Sequence, residues 1–307
     1  MKKTKIAIIG ECMVELQHKN GTLQQSFGGD TLNTALYLSR LCKAQDIETT
    51  YVTALGEDPY SQAMLDAWQE EGIDTSLVHQ VSGKQPGIYH IETDSMGERS
   101  FYYWRNEASA KFMFDQDNAH ELLAKLEQFD AIYLSGITLA ILTETSRNML
   151  FKLLDSFAGL VFFDNNYRPQ LWQDRKDAQK VYLKMLSYTD TALLTFDDEE
   201  ALYGDKDIEQ CIARTKDAGV SEIIVKRGSK DCLVYEGGAC SSVAANKVKN
   251  VVDTTAAGDS FSAGFLAKRL SGGSGTQSAE AGHIVASTVI QHKGAIIPRD
   301  VMPDLYL

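Results

Sequence analysis

The sequence predicts an α/β fold in which a mostly parallel central sheet is covered by helices on both faces. From Phe129 onward, short apolar runs alternate with helix-patterned segments: a strand over Ala131 to Gly136, a helix through Ser146 to Phe157, then a strand over Leu160 to Asp164. This alternation is typical of parallel strands that are buried on both faces. The 307 residues, 44% of them hydrophobic, are enough for one large domain with a substantial core.

Charge and cysteine content exclude several classes of protein. The net charge of -12 leaves no basic excess for binding nucleic acid or an anionic membrane. The apolar run Ile6 to Ile9 is too short for a signal peptide or a membrane span, so we expect a cytoplasmic protein. Five cysteines without a CxxC spacing argue against a disulfide framework and against a zinc site.

The first strand is predicted over Lys5 to Gly10, and the sequence after it excludes two nucleotide-binding folds. A dinucleotide-binding unit would place GxGxxG directly after this strand, but the chain continues Gly10-Glu11-Cys12-Met13. No GxxxxGK[ST] loop of the P-loop NTPases occurs anywhere in the sequence. Any phosphate chemistry must therefore use a different cradle.

A glycine pair opens the first predicted helix. Phe27 to Asn33 leads into apolar residues at helical spacing, with Asp30 or Thr31 as the expected N-cap. Paired glycines let the backbone approach a ligand closely, and the Asn33 amide has both a donor and an acceptor for a polyol or a sugar acid. The alternative is an ordinary glycine turn before a capped helix. The next segments predict a core strand over Tyr51 to Gly56 and a helix over Ser61 to Glu71, and we expect both to have a structural role only.

A β-hairpin rich in aromatic residues interrupts the βα series. Its strands are expected over Gly87 to Thr93 and Glu98 to Arg105, on either side of a turn at residues 94–97. Alternation places Phe101, Tyr103 and Arg105 on one face, and Tyr102 and Trp104 on the other. The hairpin suggests a small lid in which Tyr89, Tyr103 and Arg105 contact a substrate carboxylate. The alternative is an edge hairpin that packs on the core or on a second subunit.

Polar residues follow three of the later predicted strands, where parallel sheets bind ligands. Asn166 and Arg168 follow Asp164, and Lys226 and Arg227 end the strand that starts at Ile223. The acidic run 197–200 follows the strand Thr191 to Thr195, and we expect three of its four acids to be a solvated helix start. The fourth could organise Mg²⁺ through water.

The stretch Asp253 to Phe261 reads as the end of a strand, a tight turn and a helix start. A β-branched run, Val248 to Val252, precedes it, and small residues at 256–258 let backbone N–H groups approach an anion in front of the helix dipole. Asp259 then lies in the first helical turn, either as a partner of the dipole or as a base beside a phosphate. From this stretch alone both interpretations are open. After the linker Ser271 to Gly275, a final helix is expected around Glu280 to Gln291.

Two of these stretches together carry a family resemblance. Gly28 to Asn33 near the N-terminus and Asp253 to Phe261 near the C-terminus resemble the two signature motifs of the PfkB, or ribokinase-like, carbohydrate kinases. Their order and separation in a chain of this length make the resemblance specific. Gly10 to Met13, Glu98 to Asn106 and Phe163 to Pro169 are similar to the members of this family that act on a keto-deoxy sugar acid.

The resemblance implies a ribokinase-like three-layer α/β/α sandwich. Residues 1–307 would form a single kinase domain, into which a small β-lid of about residues 12–28 and 84–107 is inserted. It also implies phosphorylation of the 6-hydroxyl of 2-dehydro-3-deoxy-D-gluconate with ATP and Mg²⁺, by a homo-oligomer, expected to be a dimer formed through the lid. The alternatives are a fructokinase-like sugar kinase and a sugar-acid sensor without catalytic activity.

Residue roles follow from the same resemblance. Asp259 would be the catalytic base, and the backbone at Ala256, Ala257 and Gly258 would be the anion hole. The substrate-binding residues would be Gly29, Asn33, Tyr89, Tyr103, Arg105 and Arg168. The residues beside ATP would be Asn166, Thr195, Lys226, Gly228 and Ser287. Asp198 would organise the metal through water, with Glu199 as the alternative one residue later.

This chain departs from the family pattern at two positions. Ala256 replaces the usual glycine of the anion hole, which is harmless only if this residue keeps a negative φ. The N-x-x-E segment of the family appears here as Thr195-Phe196-Asp197-Asp198, which leaves the metal-organising acid open.

Overall fold

The structure, a computed structural model, describes residues 3–19, 21–93 and 99–307, which form thirteen strands and ten α-helices. The strands are β1 Thr4–Ile9, β2 Met13–Lys19, β3 Thr22–Gly28, β4 Ile47–Leu55, β5 Val78–Gln80, β6 Ile88–Thr93, β7 Arg99–Trp104, β8 Ala131–Ser135, β9 Leu160–Asp164, β10 Thr191–Thr195, β11 Glu222–Lys226, β12 Cys232–Glu236 and β13 Ala239–Val243. The helices are α1 Asp30–Leu41, α2 Pro59–Glu70, α3 Ala119–Leu126, α4 Gly136–Ile141, α5 Glu144–Ser156, α6 Arg175–Leu186, α7 Phe196–Tyr203, α8 Ile208–Asp217, α9 Ala257–Leu270 and α10 Gly275–Val289.

Nine strands form the central sheet in the order β13-β12-β11-β10-β9-β8-β1-β4-β5. All neighbours from β11 to β5 pair in parallel, whereas β12 and β13 add an antiparallel edge. The prediction of a mostly parallel sheet is therefore confirmed. The carboxyl ends of β1 and β8 to β11 lie at one edge of this sheet, where the polar residues of the sequence motifs gather.

Helices cover both faces of the central sheet, which gives three layers. In β1, Ile6 and Ile8 pack into the core beneath α1, α2, α9 and α10, while Ala7 and Ile9 pack into the core beneath α3 to α8. All four side chains are fully buried. A strand that alternates between two apolar cores has no solvated face, which explains the continuous apolar runs in the sequence.

A smaller sheet of four strands, in the order β3-β2-β6-β7, lies apart from the central one. β2 pairs in parallel with β6, and β6 pairs antiparallel with β7, which confirms both strands of the expected hairpin. The predicted turn at 94–97 and Glu98 lie outside the described residues. On β7, Tyr102 and Trp104 are 48% and 63% exposed, so this face carries aromatic surface in contact with solvent.

Four predictions of local structure were wrong. Val248 to Val252 is not a strand: this segment runs alongside the end of α10, where Val252 N–H donates to Ile290 O at 2.8 Å. The last long helix begins at Gly275 rather than near Glu280, because a capping box between Ser274 and Gln277 starts it earlier.

The N-cap of α1 was also mispredicted. It is Gly29, so Asp30 and Thr31 both lie inside the first turn, and no side chain of the described part of the chain caps this helix. In α2, the helix begins at Pro59 with Asp58 as its N-cap, ahead of the predicted start at Ser61. Across residues 3–19, 21–93 and 99–307, no helix is both long enough and apolar enough to cross a membrane.

The close contact between α9 and α10 depends on Gly264. A Cβ on Gly264 would lie 2.7 Å from Ala281 O and 2.8 Å from a methyl group of Val285, so Gly264→Ala requires the helices to separate. We expect this change to lower the free energy of unfolding by about 1–3 kcal/mol. Chemical denaturation measures this loss, and Glu280→Ala on the exposed face of α10 is the control. Equal stability of the two variants would contradict the packing argument.

Candidate active site

A cavity of about 630 Å³ lies between the carboxyl edge of the central sheet and the small sheet. Most of the site residues expected from the sequence line it: Gly29, Asn33, Tyr89, Tyr103, Arg105, Asn166, Arg168, Thr195, Asp198, Lys226, Ala256, Ala257, Gly258 and Asp259. Gly228 and Ser287 do not line it. Gly228 is an exposed turn residue with φ 60°, and Ser287 accepts a hydrogen bond from Asn246 on the surface of α10.

Asp259 joins the two motifs at the bottom of this cavity. It is the third residue of α9, and its Oδ2 accepts a hydrogen bond from Asn33 Nδ2 of α1 at 2.8 Å. A second contact between the helices runs from Thr34 Oγ1 to Asp259 O at 3.2 Å. The starts of α1 and α9, more than 200 residues apart in sequence, are thereby held against each other.

The environment of Asp259 disfavours its charged form. Withdrawal from water, followed by the negative charge of Asp30, raises the pKa of Asp259 to about 8. The hydrogen bond from Asn33 and the charge of Lys226 oppose this shift. A carboxylate with a raised pKa is a stronger base than a solvated aspartate, which suits it to accept a proton from a hydroxyl group.

Asp253 shapes the turn before α9. Its Oδ1 accepts hydrogen bonds from the N–H and Oγ1 of Thr255, at 3.0 and 2.7 Å, and its Oδ2 accepts one from Gly294 N–H at 2.9 Å. The N–H of Ala257 donates to Thr254 O at 3.1 Å. Within the described residues, Gly258 N–H has no such partner, and it lies at the positive end of the α9 dipole.

Ala256 does not have the negative φ under which alanine could replace the usual glycine without strain. This residue has φ 60° and ψ 17°, which lie in the left-handed region. An L-residue in this region costs about 1–2 kcal/mol relative to right-handed backbone. The turn therefore keeps the shape that a glycine would adopt, with strain stored in the backbone of the expected anion hole.

The glycine pair before α1 is explained by protein contacts rather than by ligand approach alone. A Cβ on Gly28 would collide with the Tyr89 hydroxyl, and a Cβ on Gly29 would collide with Glu11 O. The two glycines thus let β2, β6 and the chain after β1 converge beside the cavity.

Arg105 is already paired in this structure. Its Nη2 donates to Oε2 of Glu11, a carboxylate that is only 3% exposed, and both residues line the cavity. The sequence indicated Arg105 as a contact of a substrate carboxylate, but it did not indicate this pairing with Glu11. Tyr103 stacks on Tyr89, with ring centroids 5.9 Å apart, and Tyr89 donates in turn to Glu15.

Two polar contacts organise the side of the cavity at β9. Asn166 Nδ2 donates to Asp30 Oδ2 at 2.7 Å, and Asn166 itself has φ 28°, an unusual conformation for a residue other than glycine. Arg168 lies 3.7 Å from Asp198 Oδ1 in an ion pair, and Tyr167 N–H donates to Asp198 Oδ2 at 3.2 Å. Burial raises the pKa of Asp198, and Arg168 opposes this shift.

Lys226 is held by a buried acid at the end of β9. Its Nζ lies 2.7 Å from Asp164 Oδ2, which also accepts a hydrogen bond from Ser262 Oγ of α9 at 2.8 Å. The ammonium group still lines the cavity, with its Nζ 3.9 Å from a Cβ built on Gly258. Lys226 therefore lies next to the turn of the expected anion hole.

The four acids at the start of α7 lie in three different environments. Asp197 and Glu200 are exposed, as expected, and Asp198 faces the cavity. Glu199 is not solvated: it is 1% exposed, is paired with Arg214 and accepts from Asn165 Nδ2 at 2.8 Å. These contacts take Glu199 away from the cavity, so of the two acids expected as alternatives only Asp198 lines it.

A model of the pfkB family carbohydrate kinases matches residues 3–302 of the chain. The chain belongs to the PfkB family. This PfkB kinase is 54% identical to the 2-dehydro-3-deoxygluconokinase of Escherichia coli K12 over 97% of its own length and 99% of that protein. It is 51% identical to the enzyme of the same name from Dickeya dadantii, over 99% of this chain and 100% of that one.

Solved structures share the fold of this PfkB kinase. The crystal structure of a 2-dehydro-3-deoxygluconokinase from Thermotoga maritima superposes with a TM-score of 0.82 at 21% identity, and covers 96% of this chain and 95% of that one. At this level of identity the likeness establishes the fold, and it confirms the ribokinase-like α/β architecture expected from the two motifs.

Three acids of this PfkB kinase were not assigned to the site from sequence. Glu11 follows β1, Asp164 ends β9, and Asp30 opens α1, so all three lie at the carboxyl edge of the central sheet. Their position after a strand was the available signal for Glu11 and Asp164. Their partners, Arg105 and Lys226, are distant in sequence and could not be paired without the fold.

The backbone of Ala256 gives a test of stability. Ala256→Gly removes the Cβ that makes the left-handed conformation unfavourable, and we expect the thermal midpoint to rise by about 1–4 °C. Differential scanning calorimetry measures this change. Ala267→Gly, in the helical interior of α9, is the matched control and should lower the midpoint. A lower midpoint for both variants would contradict the strain at Ala256.

Proposed function

We propose that this PfkB kinase transfers the γ-phosphoryl group of ATP to the 6-hydroxyl of 2-dehydro-3-deoxy-D-gluconate, which yields the 6-phosphate. Its relatives at 54% and 51% identity, over nearly the full chain, carry the name 2-dehydro-3-deoxygluconokinase. The observation that carries the proposal is the position of Asp259, half-buried at the start of α9 and held by Asn33 in a cavity lined by Arg105 and Lys226.

Asp259 acts as the general base in this proposal. Its carboxylate accepts the proton of the 6-hydroxyl as the oxygen attacks the γ-phosphorus, and the hydrogen bond from Asn33 keeps it oriented. The small residues at 256–258 bring backbone N–H groups and the α9 dipole toward the transferred phosphoryl group. Lys226, held beside Gly258 by Asp164, adds a positive charge there.

The small sheet and α1 supply the proposed sugar-acid subsite. Gly29, Asn33 and Tyr89 line one part of the cavity, and Tyr103, Arg105 and Arg168 line another. Two guanidinium groups in an acidic protein favour an anionic substrate over a neutral sugar. Asn166, Thr195 and Lys226 are the proposed contacts of ATP within the cavity, and Gly228 and Ser287 are proposed contacts beyond it.

The acids in the cavity fit a magnesium ion. Mg²⁺ prefers oxygen ligands and usually keeps several waters in phosphoryl-transfer sites, and Asp198 presents a carboxylate on the side of the expected nucleotide. Asp198 would hold the ion through water. When bound, the ion would neutralise charge on the phosphates.

The small sheet is the proposed lid, formed by residues 12–28 and 84–107 inserted in a single kinase domain over residues 1–307. Its exposed aromatic face, with Tyr102 and Trp104, supports the proposal of a dimer formed through the lid. A cytoplasmic location is part of the same proposal, since both substrates are soluble metabolites.

Replacement of the base tests the mechanism. Asp259→Asn preserves the size and the hydrogen bond to Asn33 but cannot accept the proton, so kcat should fall by ~10²–10⁴ while ATP still binds. A coupled assay of ADP release measures turnover, and calorimetry measures ATP binding. Turnover close to that of the wild type would contradict the role of Asp259.

The same variant should also change the pH dependence of stability. Because the pKa of Asp259 is raised to about 8 in the folded protein, the folded state loses stability as pH rises from the unfolded value through about 8. Asp259→Asn removes this loss, so its thermal midpoint should exceed that of the wild type by a margin that grows up to pH 8 and then levels off. Asp66→Asn, on an exposed position of α2, should show no such margin. A margin independent of pH would contradict the raised pKa.

A substrate panel tests the identity of the acceptor. We expect 2-dehydro-3-deoxy-D-gluconate to give a higher kcat/KM than fructose, ribose or adenosine, because only the sugar acid offers a carboxylate to Arg105 and Arg168. The assay compares ADP release at equal ATP concentration. A higher kcat/KM with fructose would favour the fructokinase-like alternative, and no turnover with any acceptor would favour a sensor without catalytic activity.

A further inference from the structure

Glu11 lies at the junction of the two sheets. It follows β1 of the central sheet and precedes β2 of the small sheet, while its partner Arg105 directly follows β7. Glu11 is 3% exposed, and its Oε1 has no hydrogen-bond partner among residues 3–19, 21–93 and 99–307. This carboxylate is therefore buried at the cavity wall, and one of its two oxygen atoms accepts no hydrogen bond from the described residues. Burial of a polar atom without a partner costs free energy and is uncommon in folded proteins, which suggests a functional role for Glu11.

The contact with Glu11 occupies only one nitrogen atom of the Arg105 guanidinium group. Within the described residues, the pair with Glu11 involves Nη2 alone, and the other nitrogens of Arg105 make no hydrogen bond to protein. Arg105 lines the cavity, so these donors are available to a ligand there. A planar guanidinium binds a carboxylate best through two parallel N–H···O bonds, which a single-nitrogen contact to Glu11 leaves open.

A bound sugar acid changes the charge balance at this position. In this structure one carboxylate pairs with one guanidinium, and a substrate carboxylate would add a second anion to the same cation. A buried negative charge without a full partner is unfavourable, and taking up a proton is the usual way for a carboxylate to remove it.

We propose that Glu11 holds Arg105 in place before substrate binds and releases it to the substrate carboxylate, taking up one proton from solvent as it does so. The proton bonds to a carboxylate oxygen of Glu11, and the guanidinium stays charged. Glu11 is then a positioning residue that makes recognition of an acidic sugar depend on proton uptake. This inference rests on the proposed substrate.

The surroundings of Glu11 support this exchange. Burial raises the pKa of Glu11 even with Arg105 beside it, so loss of that partner favours the neutral form further. The titratable and charged groups that face it are Arg105, Asp30 of α1, Lys111, Cys12 and Tyr51 of β4. Burial raises the pKa of both Cys12 and Tyr51, which keeps these two groups neutral, and Asp30 opposes the ionisation of Glu11.

Calorimetry of sugar-acid binding tests the proposal. The parent protein is the full chain with Asp259→Asn, which removes both turnover and the titration of Asp259. Titration with 2-dehydro-3-deoxy-D-gluconate at pH 8, in buffers of different ionisation enthalpy, gives the number of protons taken up. We expect an uptake approaching about one proton per site in the parent and close to zero after Glu11→Gln.

A matched control separates this effect from the general loss of an ion pair. Glu71→Gln breaks the pair with Arg40, which lies outside the cavity, and should leave proton uptake as in the parent. Equal uptake in the parent and the Glu11→Gln protein would overturn the proposal while leaving the substrate assignment intact. If the sugar acid bound to neither protein, the substrate assignment would fall as well.

A second measurement does not depend on the Glu11 variant. Proton uptake on binding requires the affinity of the parent for the sugar acid to weaken as pH rises, by up to about tenfold per pH unit. Affinities between pH 6.5 and pH 9 measure this slope. A flat profile in the parent would overturn the proposal even if the Glu11→Gln protein failed to fold.

Discussion

The hydrogen bond between Asn33 and Asp259 is the contact on which the site depends. It joins the first turn of α1 to the first turn of α9, and so brings together the two sequence motifs that define the family. Helix starts carry partial positive charge, so two of them facing one cavity offset the cost of placing acids there. The remaining site residues are arranged around this junction by the carboxyl edge of the parallel sheet.

The cavity is rich in acids for a site that would bind anions. Asp30, Asp164 and Asp198 line it together with Asp259, and three cationic side chains, Arg105, Arg168 and Lys226, accompany them. Each of these cations is paired with an acid in the structure. Such pairing keeps the positive groups oriented before an anion binds, and it makes binding of an anion an exchange of partners rather than a simple attraction.

At Ala256 the backbone keeps the left-handed conformation of the family motif, although alanine replaces the usual glycine. The turn adopts the left-handed conformation that glycine takes without strain, since Asp253 holds the preceding residues and α9 begins directly after it. The position of N–H groups in the turn is thus set by tertiary contacts, at a cost of roughly 1–2 kcal/mol in backbone strain. An alanine by itself favours a negative φ, so the identity of this residue does not indicate the conformation that the fold imposes on it.

The amino-acid sequence by itself determined the α/β class, the parallel core, the hairpin and the family, because these follow from local periodicity and from short motifs. It also indicated most of the residues that line the cavity. Only the tertiary structure decided that Val248 to Val252 is a loop, that Glu199 is buried on Arg214, and that Arg105 and Lys226 are held by Glu11 and Asp164. The physical reason is that these outcomes depend on charge pairs and packing between residues far apart in the chain, which no local pattern encodes.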